Sequence, residues 1–308
     1  EAQEAGAFIL NELAVPEPGI QDLLVRVTAI GMNPVDTKFR RRMEEDSVLG
    51  WDAYGVVEKT GEGVTAFKAG DKVFYAGDIT RPGNNSEYHL VDQRIAALAP
   101  EKLSPEDAAA MPLTSITAWE ALFERLAFIP EENANPGKSI LIIGGAGGVG
   151  SIAIQIAQWA GLRVFATASR TETVAWCKNL GADIILNHRN NLAEELNATG
   201  TEAVNTIFCT TQMERHWLAM AVCIRPQGHI VFIDDPGDLL DITMFKRKSV
   251  SLCWEFMYTR SMFETDDISE QGKLLSRVAG MLDNGILVTT RQKTWSGLSP
   301  ENIQAMHV

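Results

Sequence analysis

A glycine-rich run between residues 144 and 150 has the residue types and spacing of a phosphate-binding turn. It reads Gly-Gly-Ala-Gly-Gly-Val-Gly and contains G-x-G-x-x-G at Gly145, Gly147 and Gly150. The run follows the apolar stretch Ser139–Ile143 and opens a helical pattern, so its backbone N–H groups and the helix N-terminus favour a pyrophosphate. We expect a dinucleotide to bind at Gly145, Ala146, Gly147, Gly148, Val149 and Gly150. The alternative is a tight strand-to-helix turn that holds no ligand.

The residues after the second strand-like run indicate which dinucleotide binds. A cofactor with a free ribose 2′-hydroxyl usually meets an Asp or Glu about 20 residues beyond the glycines. Ser169 and Arg170 occupy that place, and no acidic residue lies between the glycines and Glu172. Because a guanidinium binds phosphate through a bidentate fork, these residues favour NADPH over NADH. His188, after the third strand, is a further candidate for the adenosine end. The alternatives are a solvated Arg170 at a helix start and a structural His188.

Composition and charge exclude several classes of protein. The chain has 308 residues, of which 40 are acidic and 27 basic, and its net charge of −13 argues against nucleic acid or an anionic membrane as partner. Its four cysteines form no C-x-x-C pair, so we expect neither a zinc ribbon nor a disulfide framework. No run of about 18 uncharged apolar residues occurs, so no membrane span is expected. These features favour a reducing, cytoplasmic setting.

Short apolar, β-branched runs alternate with helical patterns through the middle of the chain. The predicted strands are Ser139–Ile143, Arg163–Thr167, Asp183–Leu186, Asn205–Cys209, His229–Ile233 and Val250–Trp254. The predicted helices are Val149–Ala160, Thr171–Leu180, Asn191–Asn197 and Met213–Cys223. Continuous apolar strands separated by helices indicate an α/β fold with a doubly wound parallel sheet that is buried on both faces.

The first 115 residues have a different pattern. Gly- and Pro-rich turns separate the predicted strands Leu23–Ile30, Ala53–Lys59, Lys72–Ala76 and Glu87–Val91, which is typical of an antiparallel β-rich domain. A helix is expected to begin after Ser104, because Ser suits the N-cap and Pro105 the first turn. Near the other end, the pattern predicts a helix over Ile268–Asn284 and a strand over Ile286–Thr290.

Segments spread over nearly the whole chain carry a family resemblance. They are NPVDTKFR (33–40), LGWDAYGVV (49–57), AGDKVFYAG (69–77), EDAAAMPLTSITAWEAL (106–122), LIIGGAGGVGS (141–151), LGAD (180–183) and WEFMYTRS (254–261). Together they resemble the medium-chain dehydrogenase/reductase superfamily, on its quinone oxidoreductase and zinc-type alcohol dehydrogenase-like side. The resemblance implies a GroES-like catalytic domain over residues 1–115, a Rossmann domain binding NADP over 116–256, and a return to the catalytic domain over 257–308.

The residues at the superfamily's metal positions argue against zinc. Its alcohol dehydrogenases bind zinc through a Cys near the NPVD position, a His in a G-H-E motif and a later Cys or equivalent. This chain has Asn33 at the first position, Gly50-Trp51-Asp52 at the second, and no cysteine before Cys177. Because zinc takes nitrogen, sulfur or carboxylate ligands in a tetrahedral set, we predict no metal site. The alternative is an unorthodox set formed by Asp36, Asp52 and His89.

The resemblance also implies roles for particular side chains. It places Asn33 and Asp36 near the nicotinamide, where Asn33 donates to a carbonyl oxygen and Asp36 either orders a loop or transfers a proton. Tyr54 either donates a proton or only packs between the domains. Further cofactor-binding candidates are Thr114, Thr117, Cys209, Asp234 and Trp254.

Without a Lewis acid, oxidising an unactivated alcohol is difficult, whereas a quinone or an α,β-unsaturated carbonyl already accepts hydride. We therefore predict an NADPH-dependent, zinc-independent reductase of small-molecule quinones or enones, with hydride transfer in the interdomain cleft. The resemblance implies a homodimer or homotetramer. Two alternatives stay open: a zinc-dependent alcohol dehydrogenase, and a non-catalytic NADPH-binding sensor or structural protein.

Overall fold

The structure is a computed structural model of this chain, and it describes residues 7–43 and 45–307. The chain divides into two compact units. Unit 1 comprises Glu1–Ile116 and Tyr258–Val308, and unit 2 comprises Thr117–Met257. Each unit has a sheet and a hydrophobic core of its own.

In chain order, the strands are β1 (Asp22–Gly31), β2 (Asp52–Thr60), β3 (Lys72–Tyr75), β4 (Tyr88–Asp92), β5 (Ala96–Leu98), β6 (Ser139–Ile143), β7 (Arg163–Thr167), β8 (Ile184–Leu186), β9 (Val204–Cys209), β10 (Ile224–Phe232) and β11 (Ser251–Trp254). The α-helices are α1 (Pro34–Arg40), α2 (Pro105–Ala109), α3 (Pro112–Trp119), α4 (Gly148–Trp159), α5 (Thr171–Asn179), α6 (Leu192–Ala198), α7 (Met213–Cys223), α8 (Thr259–Met262), α9 (Ser269–Asp283) and α10 (Pro300–His307). A π-helical segment, Glu120–Arg125, continues directly from α3.

Unit 1 contains a five-stranded antiparallel sheet in the order β4-β1-β2-β3-β5. The four strands predicted for this part of the chain are confirmed, with ends that differ by one residue at most. Strand β5 was not predicted, because three residues are too few to show an alternating pattern. Alternate residues of the strands, such as Leu23 and Val25 on β1 and Val73 and Tyr75 on β3, pack into one core.

Unit 2 contains a six-stranded parallel sheet in the order β11-β10-β9-β6-β7-β8. All six predicted strands and all four predicted helices are present, so the predicted doubly wound sheet is confirmed. The residues of α4 from Gly150 to Ala157 are buried, as expected for a helix that is apolar on nearly every face. The strand order reverses between β6 and β9, and ligands of such sheets bind beyond the carboxyl ends of the strands at that point.

The predicted strand Ile286–Thr290 is wrong: these residues form neither strand nor helix. The backbone N–H groups of Ile286 and Leu287 donate to the Met281 carbonyl oxygen at the end of α9, so they do not join a sheet. Leu287 is buried while Ile286 and Val288 are exposed, which explains the strand-like alternation. An alternating pattern shows which side chains are buried. A strand also needs a neighbouring strand with which its backbone N–H and C=O groups can form hydrogen bonds.

Two further properties concern the helices and the cysteines of the described part of the chain. No helix in it combines the length and the apolar character that crossing a membrane requires. Its cysteines, Cys177, Cys209, Cys223 and Cys253, are all free thiols.

Candidate functional site

The glycine-rich loop joins β6 to α4 in unit 2. Gly144 has a φ of +86°, a left-handed conformation that favours glycine. A Cβ at Gly150 would lie 2.2 Å from the Gly144 carbonyl oxygen, and one at Gly145 would lie 2.9 Å from the Cβ of Ala166. In contrast, a Cβ at Gly147 would meet nothing closer than 3.4 Å. Gly144, Gly145 and Gly150 are therefore required by backbone conformation or close packing, while Gly147 faces open space of the kind a ligand can fill.

A cavity of about 430 Å³ lies beside this loop in unit 2. Its lining residues are Gly144, Ala146, Gly147, Thr167, Ala168, Ser169, Arg170, Thr173, His188 and Arg189. The fold thus brings the glycine-rich loop, Ser169, Arg170 and His188 to one cavity, although they are far apart in sequence. Arg189 was missed; its place directly after His188 was the only signal in the sequence. No acidic residue is among these lining residues, which suits a phosphate group.

Positive charge is concentrated around this cavity. Burial lowers the pKa of His188, and the guanidinium groups of Arg215, Arg189 and Arg170 lower it further. Three arginines therefore converge on a histidine that stays neutral. Arg170 and Arg189 are exposed, so both guanidinium groups are accessible to a ligand. In a chain of net charge −13, this cluster is a local region of positive charge.

The other predicted cofactor-binding residues lie outside the lining of this cavity. Cys209 and Trp254 end β9 and β11, and Asp234 follows β10, so all three are at the carboxyl edge of the parallel sheet. Burial raises the pKa of Cys209 to about 12, so its thiol is neutral. Trp254 is half exposed, and its indole N–H donates to the Asp234 carbonyl oxygen at 3.4 Å.

Thr114 and Thr117 are both buried on α3. The Thr114 hydroxyl donates to the Met111 carbonyl oxygen at 3.2 Å, a bond within its own helical turn. Their roles toward a cofactor stay predictions.

Unit 1 contains a buried polar cluster formed by Asn33, Asp36 and Asp52. The Asn33 backbone N–H donates to Asp36 Oδ2 at 2.6 Å, and its side-chain Nδ2 donates to Asp52 Oδ2 at 2.7 Å. The Leu113 backbone N–H donates to Asp52 Oδ1, also at 2.7 Å. Among the described residues, nothing bonds Asp36 Oδ1. Asn33 thus bridges two carboxyl groups, and Asp52, which the sequence indicates only as a possible metal ligand, is its side-chain partner.

Burial dominates the electrostatics of this cluster. Both carboxyl side chains are 1% exposed. Burial raises the pKa of Asp36 to about 7, although the Asn33 N–H opposes the shift. Burial also raises the pKa of Asp52 well above its usual range against the bonds from Asn33 and Leu113, and the charge of Asp36 adds to the rise. A carboxyl pair of this kind retains a proton at neutral pH.

Tyr54 and Trp51 flank Asp52 along the chain. Tyr54 lies on β2 two residues beyond Asp52 and is buried, and this burial raises its pKa. The Trp51 indole N–H donates to the Asp78 carbonyl oxygen at 3.0 Å, and its ring lies 6.1 Å from that of Tyr258. Trp51 therefore has a packing role, and the predicted proton-donor role of Tyr54 stays a prediction.

The donor set does not fit zinc. Asn33 uses its amide N–H on Asp52, and Trp51 offers no ligand atom. The ring nitrogens of His89 lie 3.0 Å from the Tyr75 hydroxyl and 3.0 Å from the Pro82 carbonyl oxygen, so both are already used. Within residues 7–43 and 45–307, no three His, Cys, Asp or Glu side chains are grouped to hold a metal. The unorthodox set of Asp36, Asp52 and His89 is therefore not formed.

Two known families match this chain, each over a different part of it. Residues 19–101 match the alcohol dehydrogenase GroES-like domain, and residues 148–270 match the zinc-binding dehydrogenase family. A zinc-type alcohol dehydrogenase-like protein of Staphylococcus epidermidis is 40% identical over 310 residues, which cover 100% of this chain and 92% of that protein. Human quinone oxidoreductase is 35% identical over 184 residues, covering 58% of this chain and 54% of that protein.

Solved structures give the same result for the fold. A candidate zinc-dependent alcohol dehydrogenase from Rhizobium etli CFN 42 is 47% identical, with a TM-score of 0.95 over 100% of this chain and 90% of that chain. Escherichia coli quinone oxidoreductase complexed with NADPH has a TM-score of 0.80 at 24% identity, covering 96% of this chain and 90% of that chain. These similarities confirm the expected pairing of a GroES-like and a Rossmann-like part.

Proposed function

Because this chain belongs to the medium-chain dehydrogenase/reductase superfamily of oxidoreductases, we propose that it is an NADPH-dependent, zinc-independent reductase of quinones or α,β-unsaturated carbonyls. The observation that carries the proposal is the cavity of unit 2, where the glycine-rich loop meets Ser169, Arg170, His188 and Arg189. When bound, NADPH supplies hydride from its nicotinamide ring.

The residues of the cavity fit the parts of that nucleotide. The loop around Gly147 would hold the pyrophosphate through its backbone N–H groups and the N-terminus of α4. Arg170 and Arg189 would bind the 2′-phosphate, and Ser169 would add a hydroxyl. No carboxylate lines the cavity to bond a free 2′-hydroxyl, so its lining favours NADPH over NADH.

On the acceptor side, the polar cluster of unit 1 supports a reduction without metal. When an acceptor takes up hydride, negative charge develops on its oxygen, and a fixed N–H donor stabilises that charge. Asn33 has a second amide N–H beyond the one that it directs to Asp52. We assign this N–H to the acceptor oxygen and keep Asp36 and Tyr54 as proton-donor candidates.

The test compares initial rates of NADPH and NADH oxidation with 9,10-phenanthrenequinone, using chelator-treated enzyme. We expect faster turnover with NADPH, and we expect Arg170→Ala to raise the KM for NADPH about tenfold or more while that for NADH changes little. Arg225→Ala, an exposed arginine elsewhere in unit 2, serves as the matched control. Equal effects of Arg170→Ala on both nucleotides would contradict the assignment.

Two results would select the alternatives. Tight NADPH binding without oxidation by any quinone or enone would favour a sensor or structural protein. Activity that appears only when one zinc per chain is restored would favour an alcohol dehydrogenase.

A homodimer or homotetramer and a reducing, cytoplasmic setting stay part of the proposal. Light scattering of the purified chain measures the first, and fractionation of the producing cell measures the second.

A further inference from the structure

We propose that Trp176 is a positioning residue for the nucleotide of unit 2. Its indole N–H holds α5, and with it Arg170, at a fixed distance from the glycine-rich loop, so that one NADPH molecule contacts both. The inference rests on the proposed binding of NADPH in the cavity of unit 2 and adds the residue that sets the spacing of its two anchor points. Trp176 is not among the lining residues of that cavity, so it acts on the nucleotide through its neighbours.

Two segments of unit 2 supply the anchor points. The glycine-rich loop precedes α4 and is assigned to the pyrophosphate, and Arg170 is the N-cap of α5 and is assigned to the 2′-phosphate. Both phosphate groups belong to one molecule, so the distance between the two segments must match the distance between the groups. A residue that fixes this distance affects NADPH binding without touching the nucleotide.

The backbone of Arg170 is attached to the first turn of α5. Its N–H donates to the Thr173 hydroxyl at 3.2 Å, and the same hydroxyl donates to the Arg170 carbonyl oxygen at 2.9 Å. That carbonyl oxygen also accepts the Val174 backbone N–H at 2.9 Å. The position of Arg170 therefore follows the position of the helix.

Trp176 joins α5 to the start of α4. Its Nε1 donates to Ser151 Oγ at 2.8 Å. Ser151 lies in the first turn of α4, and its backbone N–H donates to the Gly147 carbonyl oxygen at 2.8 Å. Because Ser151 is 2% exposed, water does not readily replace the indole donor. The bond thus connects the helix that begins at Arg170 to a residue that is itself bonded to the glycine-rich loop.

The next residue of α5 packs against the same loop. A Cβ at Gly145 would lie 3.3 Å from Cys177 Sγ, so α5 approaches the loop as closely as a glycine allows. This packing prevents a closer approach of the helix. The Trp176 bond is directional, so it also opposes sliding and rotation of α5 along α4.

Fixed spacing favours only a ligand that uses both anchor points. The second contact of such a ligand forms at a high effective concentration, which depends on the spacing being correct. NADH lacks the 2′-phosphate, and adenosine 2′-monophosphate (2′-AMP) lacks the pyrophosphate, so each of them uses one anchor point. Loss of the Trp176 bond should therefore weaken NADPH and leave the two partial ligands unaffected.

The experiment measures Kd by calorimetric titration of NADPH, NADH and 2′-AMP into the wild type and Trp176→Phe, which removes the N–H and keeps an aromatic ring. From the net free energy of one hydrogen bond, we expect Kd for NADPH to rise about fivefold, and Kd for NADH and 2′-AMP to change by less than about twofold. Ser151→Ala removes the acceptor and should give the same pattern. The matched control is Trp217→Phe, because the Trp217 indole N–H donates to the Asp241 carbonyl oxygen at 3.0 Å outside the cavity lining. It should change none of the three values.

A double-mutant cycle separates positioning from direct contact. Arg170→Ala should weaken both NADPH and 2′-AMP, whereas Trp176→Phe should weaken NADPH alone. If Trp176 acts through Arg170, adding Trp176→Phe to Arg170→Ala should raise Kd for NADPH by less than about twofold further. A general loss of folded structure would instead weaken all ligands in either background.

The outcomes distinguish this inference from the proposed function. If the wild type binds neither NADPH nor 2′-AMP, the proposed function fails. If the wild type binds both, the positioning role alone is wrong when Trp176→Phe weakens all three ligands equally, weakens none of them, or adds its full effect to that of Arg170→Ala.

Discussion

The surroundings of His89 determine whether its ring is protonated. It is 4% exposed in unit 1, and its ring nitrogens face the Tyr75 hydroxyl and the Pro82 carbonyl oxygen. Burial lowers its pKa to about 4; Pro82 and Asp22 oppose the shift, and Arg81 adds to it. The ring is therefore neutral in the folded protein at pH 5, where a histidine of the unfolded chain is mostly protonated.

This difference predicts how stability depends on pH. The pKa of His89 is about 4 when folded and about 6.5 when unfolded, so its neutral form supports folding fully above pH 6.5 and loses that effect as pH falls toward 4. Between pH 7 and pH 5 we expect His89 to account for a loss of about 2 kcal/mol in the free energy of unfolding. Urea unfolding of the wild type and His89→Gln at both pH values measures it. Equal losses in the two proteins would show that His89 does not titrate as described.

Among the elements, the β6–α4 turn shows which glycines serve the fold and which serve a ligand. Gly150 allows α4 to start against the Gly144 carbonyl oxygen, whereas Gly147 has free space before it. The Gly144 N–H donates to the Thr167 hydroxyl at 3.0 Å, which ties this turn to the end of β7. One motif therefore contains both packing positions and a binding position.

Alanine at the two positions should give opposite results. Gly150→Ala forces backbone atoms apart, so we expect a loss of about 1–3 kcal/mol in stability. Gly147→Ala should fold with nearly wild-type stability but bind NADPH at least about tenfold more weakly, because the methyl group fills space that we assign to the pyrophosphate. Thermal unfolding and fluorescence titration with NADPH measure the two effects, and Gly280→Ala on α9, where a Cβ meets nothing within 4 Å, is the control. Unimpaired binding by Gly147→Ala would remove this loop from the proposed site.

At the scale of the whole molecule, the net charge of the chain differs in sign from the local charge at the cavity of unit 2. The chain has a net charge of −13, yet the cavity of unit 2 is surrounded by arginines. An anionic nucleotide is therefore expected to bind at this local cluster and not to the surface in general. The two units also have separate cores, so a ligand of unit 2 acts first on the stability of that unit.

Ligand binding should stabilise the folded chain by mass action. NADPH at 100 times its Kd should add about 2.7 kcal/mol to the unfolding transition that includes unit 2, and NADH at the same concentration should add less. Calorimetry of the full chain with each nucleotide measures this, and Gly147→Ala should show a smaller shift at that NADPH concentration. A shift that is equal for NADPH and NADH would contradict the assigned 2′-phosphate site.

The sequence by itself determined the elements, because their signals are local. Apolar runs and helical periods predicted the strands and helices of unit 2, and the spacing of Gly145, Gly147 and Gly150 located the turn between β6 and α4. The same kind of signal failed at Ile286–Thr290, where burial alternates but no neighbouring strand is available. Strand pairing depends on two segments, so the sequence of one segment alone does not predict it.

Only the tertiary structure decided which side chains meet. It placed Arg189 with Arg170 at one cavity, because β7 and β8 end side by side in the sheet. It also joined Asn33 to Asp52, 19 residues away, and left Asp36 Oδ1 without a bond. Proximity, burial and the resulting shifts in pKa arise from contacts between distant segments. The residue types therefore indicated which chemistry is possible, and the fold determined which of these side chains lie close together.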